Sequence, residues 1–219
     1  MLIPMWAQHK VKSNYEKYSQ VRSTSGKTGR EVAEEILHPN GIYDVDVAKG
    51  EGFLTDHYDP NKKVVCLSPA NFDRPSVAGT AIAAHEVGHA IQHQQGYAFL
   101  RFRTALVPLA NIGSSLSYII IMAGIFLTAL GSAFGSTALW IGAGLMSLAV
   151  LFSIVTLPVE FDASSRAMKQ ITALNIVNEK EYKHARKVLS AAAMTYVAAT
   201  ATAVAELVRI ILLARASDN

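Results

Sequence analysis

Residues 104–159 carry no charged side chain, an uninterrupted run of 56 residues. One helical crossing of a bilayer needs about 20 predominantly apolar residues, so this run has the length for two crossings and a turn. The turn is marked by Gly131-Ser132-Ala133-Phe134-Gly135-Ser136, which is short, small and uncharged. It divides the run into spans at residues 106–130 and 137–157. Arg101 and Arg103 precede the first span, and Arg166 and Lys169 follow the second. The positive-inside rule therefore places both outer ends of the hairpin in the cytoplasm. Composition agrees: 51% of the residues are hydrophobic and 17% charged, against about 25% charged in soluble proteins. A bundle of buried soluble helices is the competing reading, and the length of the uncharged run stands against it.

Lys187 and Glu206 bracket a further 18 uncharged residues, mostly Ala, Thr and Ser. Small residues suit close helix packing in lipid, so a third transmembrane helix is expected over residues 188–214. An Ala-rich helix lying on a soluble domain is the alternative. Glu206 and Arg209, three apart, are placed to pair on one helix face.

The first hundred residues read as a small mixed domain. Residues 6–21 form a polar amphipathic helix, and 23–27 a loop. Thr28 with Glu31 fits a capping box that starts a helix running to about residue 37. His38-Pro39-Asn40-Gly41 is a turn signal. Residues 52–57 and 63–68 flank Asp59-Pro60-Asn61 as a β-hairpin, and a helix follows over residues 75–95. The expectation is a mainly α membrane protein. It has a zincin-like cytoplasmic part with a short β-hairpin (1–103), a transmembrane hairpin (104–159), a cytoplasmic helix (160–187) and a C-terminal transmembrane helix (188–219).

A net charge of +3 without a basic stripe gives no footprint for nucleic acid. Cys66 is alone, so neither an internal disulfide nor a thiolate zinc cluster can form. The apolar start is too short for a cleavable signal, with charge beginning at Lys10, and insertion is expected through the internal spans.

His85-Glu86-Val87-Gly88-His89 is an H-E-x-x-H pattern on the 75–95 helix. Residues i and i+4 share a helix face, so both imidazoles reach one zinc ion at about 2.0–2.1 Å. The intervening Glu86 is placed to take a proton from a water that zinc acidifies to a pKa of about 7. Two surface histidines could match the same pattern, but the apolar residues 77–84 ahead of it argue for a helix at least partly buried. A third protein ligand is needed, and His57, His93, Glu160 and Asp162 are the candidates. Glu160 stands out because it is the first charge after the second span. A hairpin returning to the membrane face it left brings Glu160 back beside His85 and His89. Asp56 or His57 is placed to orient a ligand histidine, and the strand before the motif helix to dock extended substrate.

The run Ala84-His85-Glu86-Val87-Gly88-His89-Ala90-Ile91-Gln92-His93 resembles the YugP family of bacterial zinc-dependent membrane proteases. So do the residues from Leu157-Pro158-Val159-Glu160 through Ala167, Leu54 to Pro60, and Leu189 to Ala199, and the likeness covers nearly the whole chain. The arrangement is also similar to the membrane gluzincins that include the CAAX prenyl proteases and HtpX. There a transmembrane hairpin separates H-E-x-x-H from an E-x-x-A-D helix whose Glu is the third zinc ligand. The resemblance implies that role for Glu160, with Ala163 matching the pattern. Ser164 departs from it, standing where the wider group has Asp. Only Met1 to Met5 precede Trp6, where family members have a longer apolar span, which points to a shortened start or a reduced anchor.

These readings converge on a multi-pass cell-membrane zinc metallopeptidase whose active site faces the cytoplasm. Zn2+ is held by His85, His89 and Glu160, Glu86 is catalytic, and His57, His93 and Arg166 are candidate contacts to substrate or transition state. The expected partners are a protein or peptide substrate and the lipid bilayer, with an oligomer allowed but not required. The rival is a non-proteolytic membrane scaffold or chaperone-like adaptor with structural zinc.

Overall fold

The computed structural model describes residues 2–218. Its elements are α1 (Leu2–Ser19), α2 (Gly29–Leu37), a 3-10 turn (His38–Asn40), β1 (Asp46–Lys49), β2 (His57–Asp59) and β3 (Val64–Leu67). They continue with α3 (Pro69–Asp73), α4 (Val77–Gln94), α5 (Ala98–Ala129), α6 (Phe134–Ala173) and α7 (Glu179–Ser217).

The expected capping box opens α2: the Glu31 amide donates to the Thr28 hydroxyl at 3.3 Å, and the Thr28 amide to the Glu31 carboxylate at 2.8 Å. A second box opens α7 at Asn178 and Glu181. Glu181 also accepts from the Thr24 amide and hydroxyl, both at 2.7 Å, which ties the loop before α2 to α7. Ser76 caps α4 by accepting from the Gly79 amide at 3.0 Å. From this start α4 runs almost wholly buried, presenting Val77, Ala81, Ala84, Val87 and Ile91 to a core shared with Ile36, Leu67, Ile171 and Leu189.

The sheet has the order β1-β3-β2, with β1 parallel and β2 antiparallel to β3. The expected hairpin exists, but its first strand is His57–Asp59 rather than 52–57. Gly52 at φ 93 and Leu54 at φ 55 turn the chain just where the sequence pattern suggested extension. β1 was not expected: four residues with a charge at each end give no alternating signal.

Helices α5, α6 and α7 are each long and apolar enough to cross a membrane. α5 and α6 meet closely where they lack side chains. A Cβ on Gly142 would lie 2.5 Å from the Ile121 side chain, and one on Gly124 would lie 3.0 Å from Leu139. Apolar side chains such as Ile112, Ile119, Phe126 and Ile141 are more than half exposed on the outer faces, a surface suited to lipid rather than water. α7 lies antiparallel to α6, held where the Thr200 hydroxyl donates to the Ser153 carbonyl at 3.2 Å. It is held again where the Trp140 indole donates to Asp218 at 2.9 Å. α6 continues without a break from the hairpin through Glu160 to Ala173.

Candidate metal centre

The site forms where α4 crosses α6. The crossing point is Gly88, where a Cβ would lie 2.6 Å from the Ala163 carbonyl oxygen. Only glycine admits that approach without displacing backbone, and the approach brings Glu160, almost one turn before Ala163, over the face of α4 that carries His85 and His89. The Glu160 Oε2 atom lies 3.3 Å from His85 Nε2 and 3.6 Å from His89 Nε2. Two donors about 2.0–2.1 Å from one tetrahedral zinc stand about 3.3 Å apart, so these separations fit shared ligands. His85, His89 and Glu160 offer one ligand atom each within 4.8 Å of one another.

The tautomer of His89 follows from its surroundings. Gln92 is fully buried, and its side-chain amide nitrogen donates to the Val159 carbonyl and to Asp162, both at 2.8 Å. Its amide oxygen must therefore face His89 Nδ1, 3.0 Å away, and can only accept there. His89 Nδ1 thus carries the proton, leaving a lone pair on Nε2 aimed at Glu160. Glu160 Oε2 is itself buried without a hydrogen-bond partner. Lone pairs facing one another in a buried site repel unless a cation lies between them. The donor set therefore fits zinc, and no other group of three or more such ligands was found among the described residues. On the other histidine, the Ser164 hydroxyl lies 3.2 Å from His85 Nδ1, close enough to orient that ring.

Burial pushes the Glu86 carboxyl above its usual range, opposed in part by His85 and His89. Burial alone would lower His89, but the carboxylates of Glu160 and Glu86 outweigh it and raise the imidazole's affinity for a proton. Both directions describe a pocket that favours positive charge beside a base reluctant to ionise.

Two hollows meet at this centre. One is mostly apolar, lined by Val11, Leu54, Ile82, Leu189 and Ala192 beside His85, Glu86 and Glu160. The other runs between β2 and the start of α5, past His57, Tyr58, Arg103, Thr104 and Val107. Arg103 reaches to 4.0 Å from Glu160, and Tyr196 lines both hollows.

His57 lies in the second hollow with its Nδ1 held against the Thr55 carbonyl at 2.8 Å. The structure does not bring His93 or Arg166 to the metal residues. His93 Nδ1 meets the Tyr58 hydroxyl at 2.8 Å, in a separate hollow with Asp44 and Lys63. Burial, with Asp44 and Asp59 nearby, pushes that phenol up to about 12, so it stays the donor. Arg166 pairs with Asp162 and Gln95 and lies over Tyr97. Asp162, weighed as a ligand, instead supports Gln92. Asp56 accepts from the Ser68 amide and from Asn71, fixing the loop before α4 rather than a histidine.

Sequence reasoning missed Gln92, Arg103 and Tyr196. The spacing of Gln92, three residues after His89, was a usable signal, because i and i+3 side chains meet on a helix.

The model of the family described as "Putative neutral zinc metallopeptidase" matches residues 1–215. The "Putative membrane protease YugP" of Bacillus subtilis (strain 168) is 44% identical over 211 residues, covering 96% of this chain and 91% of that protein. No solved structure matches. With a family model spanning nearly the whole chain and three zinc-suited ligands converging at one crossing, the chain belongs to the family so described.

Proposed function

We propose that this chain is a membrane-bound zinc endopeptidase that hydrolyses peptide bonds of membrane-associated or cytoplasmic-face substrates. The observation that carries the reading is Glu86, buried beside the convergence of His85, His89 and Glu160 and bordering both open hollows. A structural zinc site is closed by four protein ligands. Here three converge among the described residues, and the hollows leave room for a substrate carbonyl, which disfavours the scaffold reading.

His85, His89 and Glu160 would hold zinc, which supplies Lewis acidity toward a carbonyl oxygen and toward water. Glu86 takes the proton of the attacking water on its carboxylate and delivers it to the leaving amine. Its raised proton affinity suits the second transfer as much as the first. Arg103 and Tyr196 border the cleft where negative charge would develop on the carbonyl oxygen, and they are better placed for that role than His93 or Arg166. β2 is an edge strand, so an extended substrate can add to it by main-chain hydrogen bonds with its scissile bond facing Glu86. Arg101 and Arg103 at the near end of the hairpin support a cytoplasm-facing cleft.

The test is Glu86→Gln in the full chain reconstituted in lipid, assayed on an unfolded protein substrate. Zinc content should be unchanged and cleavage should fall by roughly 100-fold or more, the scale of a lost general base. Undiminished cleavage by the zinc-loaded variant would sink the reading.

A further inference from the structure

The contacts that hold α7 against α6 also fix how deep each α7 residue lies. Thr200 is level with Ser153 of α6, and Asp218 lies at the far end of the hairpin, where the Trp140 indole reaches along the helix to it. At 1.5 Å per residue, Glu206 lies about 18 Å from the level of Asp218, and about 20 Å from the level of Glu160 at the near face. The hydrocarbon core is about 30 Å thick. Glu206 and Arg209 therefore sit close to its middle.

They are not covered there. Arg209 donates to Glu206 at 2.7 Å along the same helix, yet the two side chains keep 68% and 46% of their surface exposed. Neither can reach an interface from that depth. A guanidinium has five N–H donors, and one bond to Glu206 leaves most of them facing hydrocarbon. Ionisable groups at mid-bilayer depth face protein or water, not lipid tails.

The side of α7 turned to α6 and α5 presents Leu207, Ile210, Ile211 and Ala214. Beside it runs another seam: Ala199, Thr202, Glu206, Arg209 and Leu213 follow one another at spacings alternating between three and four. That is the spacing of a left-handed helix pair. Ala201, Thr202 and Ala205, exposed around the pair, would let a second backbone approach.

We infer that this seam is the interface with a second copy of the same chain, side by side in the bilayer. The charge pattern selects that occupant. An isologous two-fold contact must be self-complementary, and a patch holding one acid and one base a single turn apart is complementary to itself. Around the axis the four groups alternate in sign, with Glu206 of each copy meeting its own Arg209 and the opposite one. The remaining guanidinium donors find carboxylate instead of lipid.

The test uses full-length chains labelled with donor or acceptor dye, reconstituted in phosphatidylglycerol–phosphatidylcholine vesicles and read by energy transfer as protein is diluted in lipid. The unmodified chain should self-associate. Glu206→Arg, with two bases per copy, and Arg209→Glu, with two acids, should each weaken self-association roughly tenfold, the upper range for interhelical polar contacts in bilayers. Mixing the two variants should restore transfer between them, and so should the double exchange E206R/R209E within one chain. The mixed sample guards against misfolding, since two unfolded variants would not rescue each other. A monomeric unmodified chain, association indifferent to charge, or a different membrane protein taking the second copy's place would each overturn the inference.

Discussion

The residue whose role is least visible from composition is Gln92. It sits between a carboxylate and an imidazole, donating to Asp162 and accepting from His89, and so fixes which nitrogen of His89 is free. Gln92→Leu should weaken zinc binding by about 10- to 100-fold, the usual cost of removing a partner that orients a metal ligand, measured by competition with a chelator. Gln92→Glu should also weaken it, because two carboxylates then face each other. Adding Asp162→Asn should recover much of the loss, since the exchanged pair again offers a donor to residue 92 and an acceptor to His89. His85, Glu86 and His89 were legible in the sequence because one helix sets their geometry locally. The support from Gln92 was not, because its meaning depends on Val159 and Asp162, which arrive from another helix 67 and 70 positions away.

At the scale of elements, the crossing of α4 and α6 makes the site. Gly88→Val places a branched side chain where even a Cβ meets backbone at 2.6 Å. The helices must separate, costing about 1–3 kcal/mol for overpacking and drawing Glu160 away from the histidines. Zinc affinity should therefore fall although no ligand has changed, again read by chelator competition. The capping box of α2 gives a pH signature. Hydrogen bonds first from the Thr28 backbone and then from its side chain hold the Glu31 carboxyl below its usual range. With the folded pKa depressed, the contribution is complete above the ordinary carboxylate range and is lost as pH falls through the lower folded value. Amide exchange at Thr28 should accelerate over that acid window, and Glu31→Gln, which can still cap, should abolish the dependence. The box could be read from Thr28 and Glu31 alone, whereas β1 could not, because a four-residue strand exists only through its pairing with β3.

For the whole molecule, the uncharged run gave the hairpin and its return to Glu160, and the third apolar helix expected over residues 188–214 lies within α7. Residues 188–196 are uncharged because several of them pack inside the soluble part, with Val188, Leu189, Ala191 and Ala193 all buried. An interior made of protein and one made of lipid select the same residue types, so hydropathy measured the length of α7 but not its depth. Glu206 and Arg209 already fell inside the expected span, and the inferred depth of α7 places them near its middle. In a Cys66→Ser background, Lys187→Cys and Ser217→Cys should react with an impermeant thiol reagent from opposite sides of sealed vesicles. Labelling of both from one side would mean that α7 does not cross.

The continuity of α6 has a consequence for when the protein first becomes active. His85, Glu86 and His89 leave the ribosome before either arm of the hairpin, and Glu160 follows on the rod that forms its second arm. Until both arms are seated, the third ligand has no fixed place beside the other two. A newborn chain still in the cytosol therefore carries an incomplete centre. On the proposed reading, seating the hairpin in the membrane completes it, so the bilayer itself acts as the licence to cut.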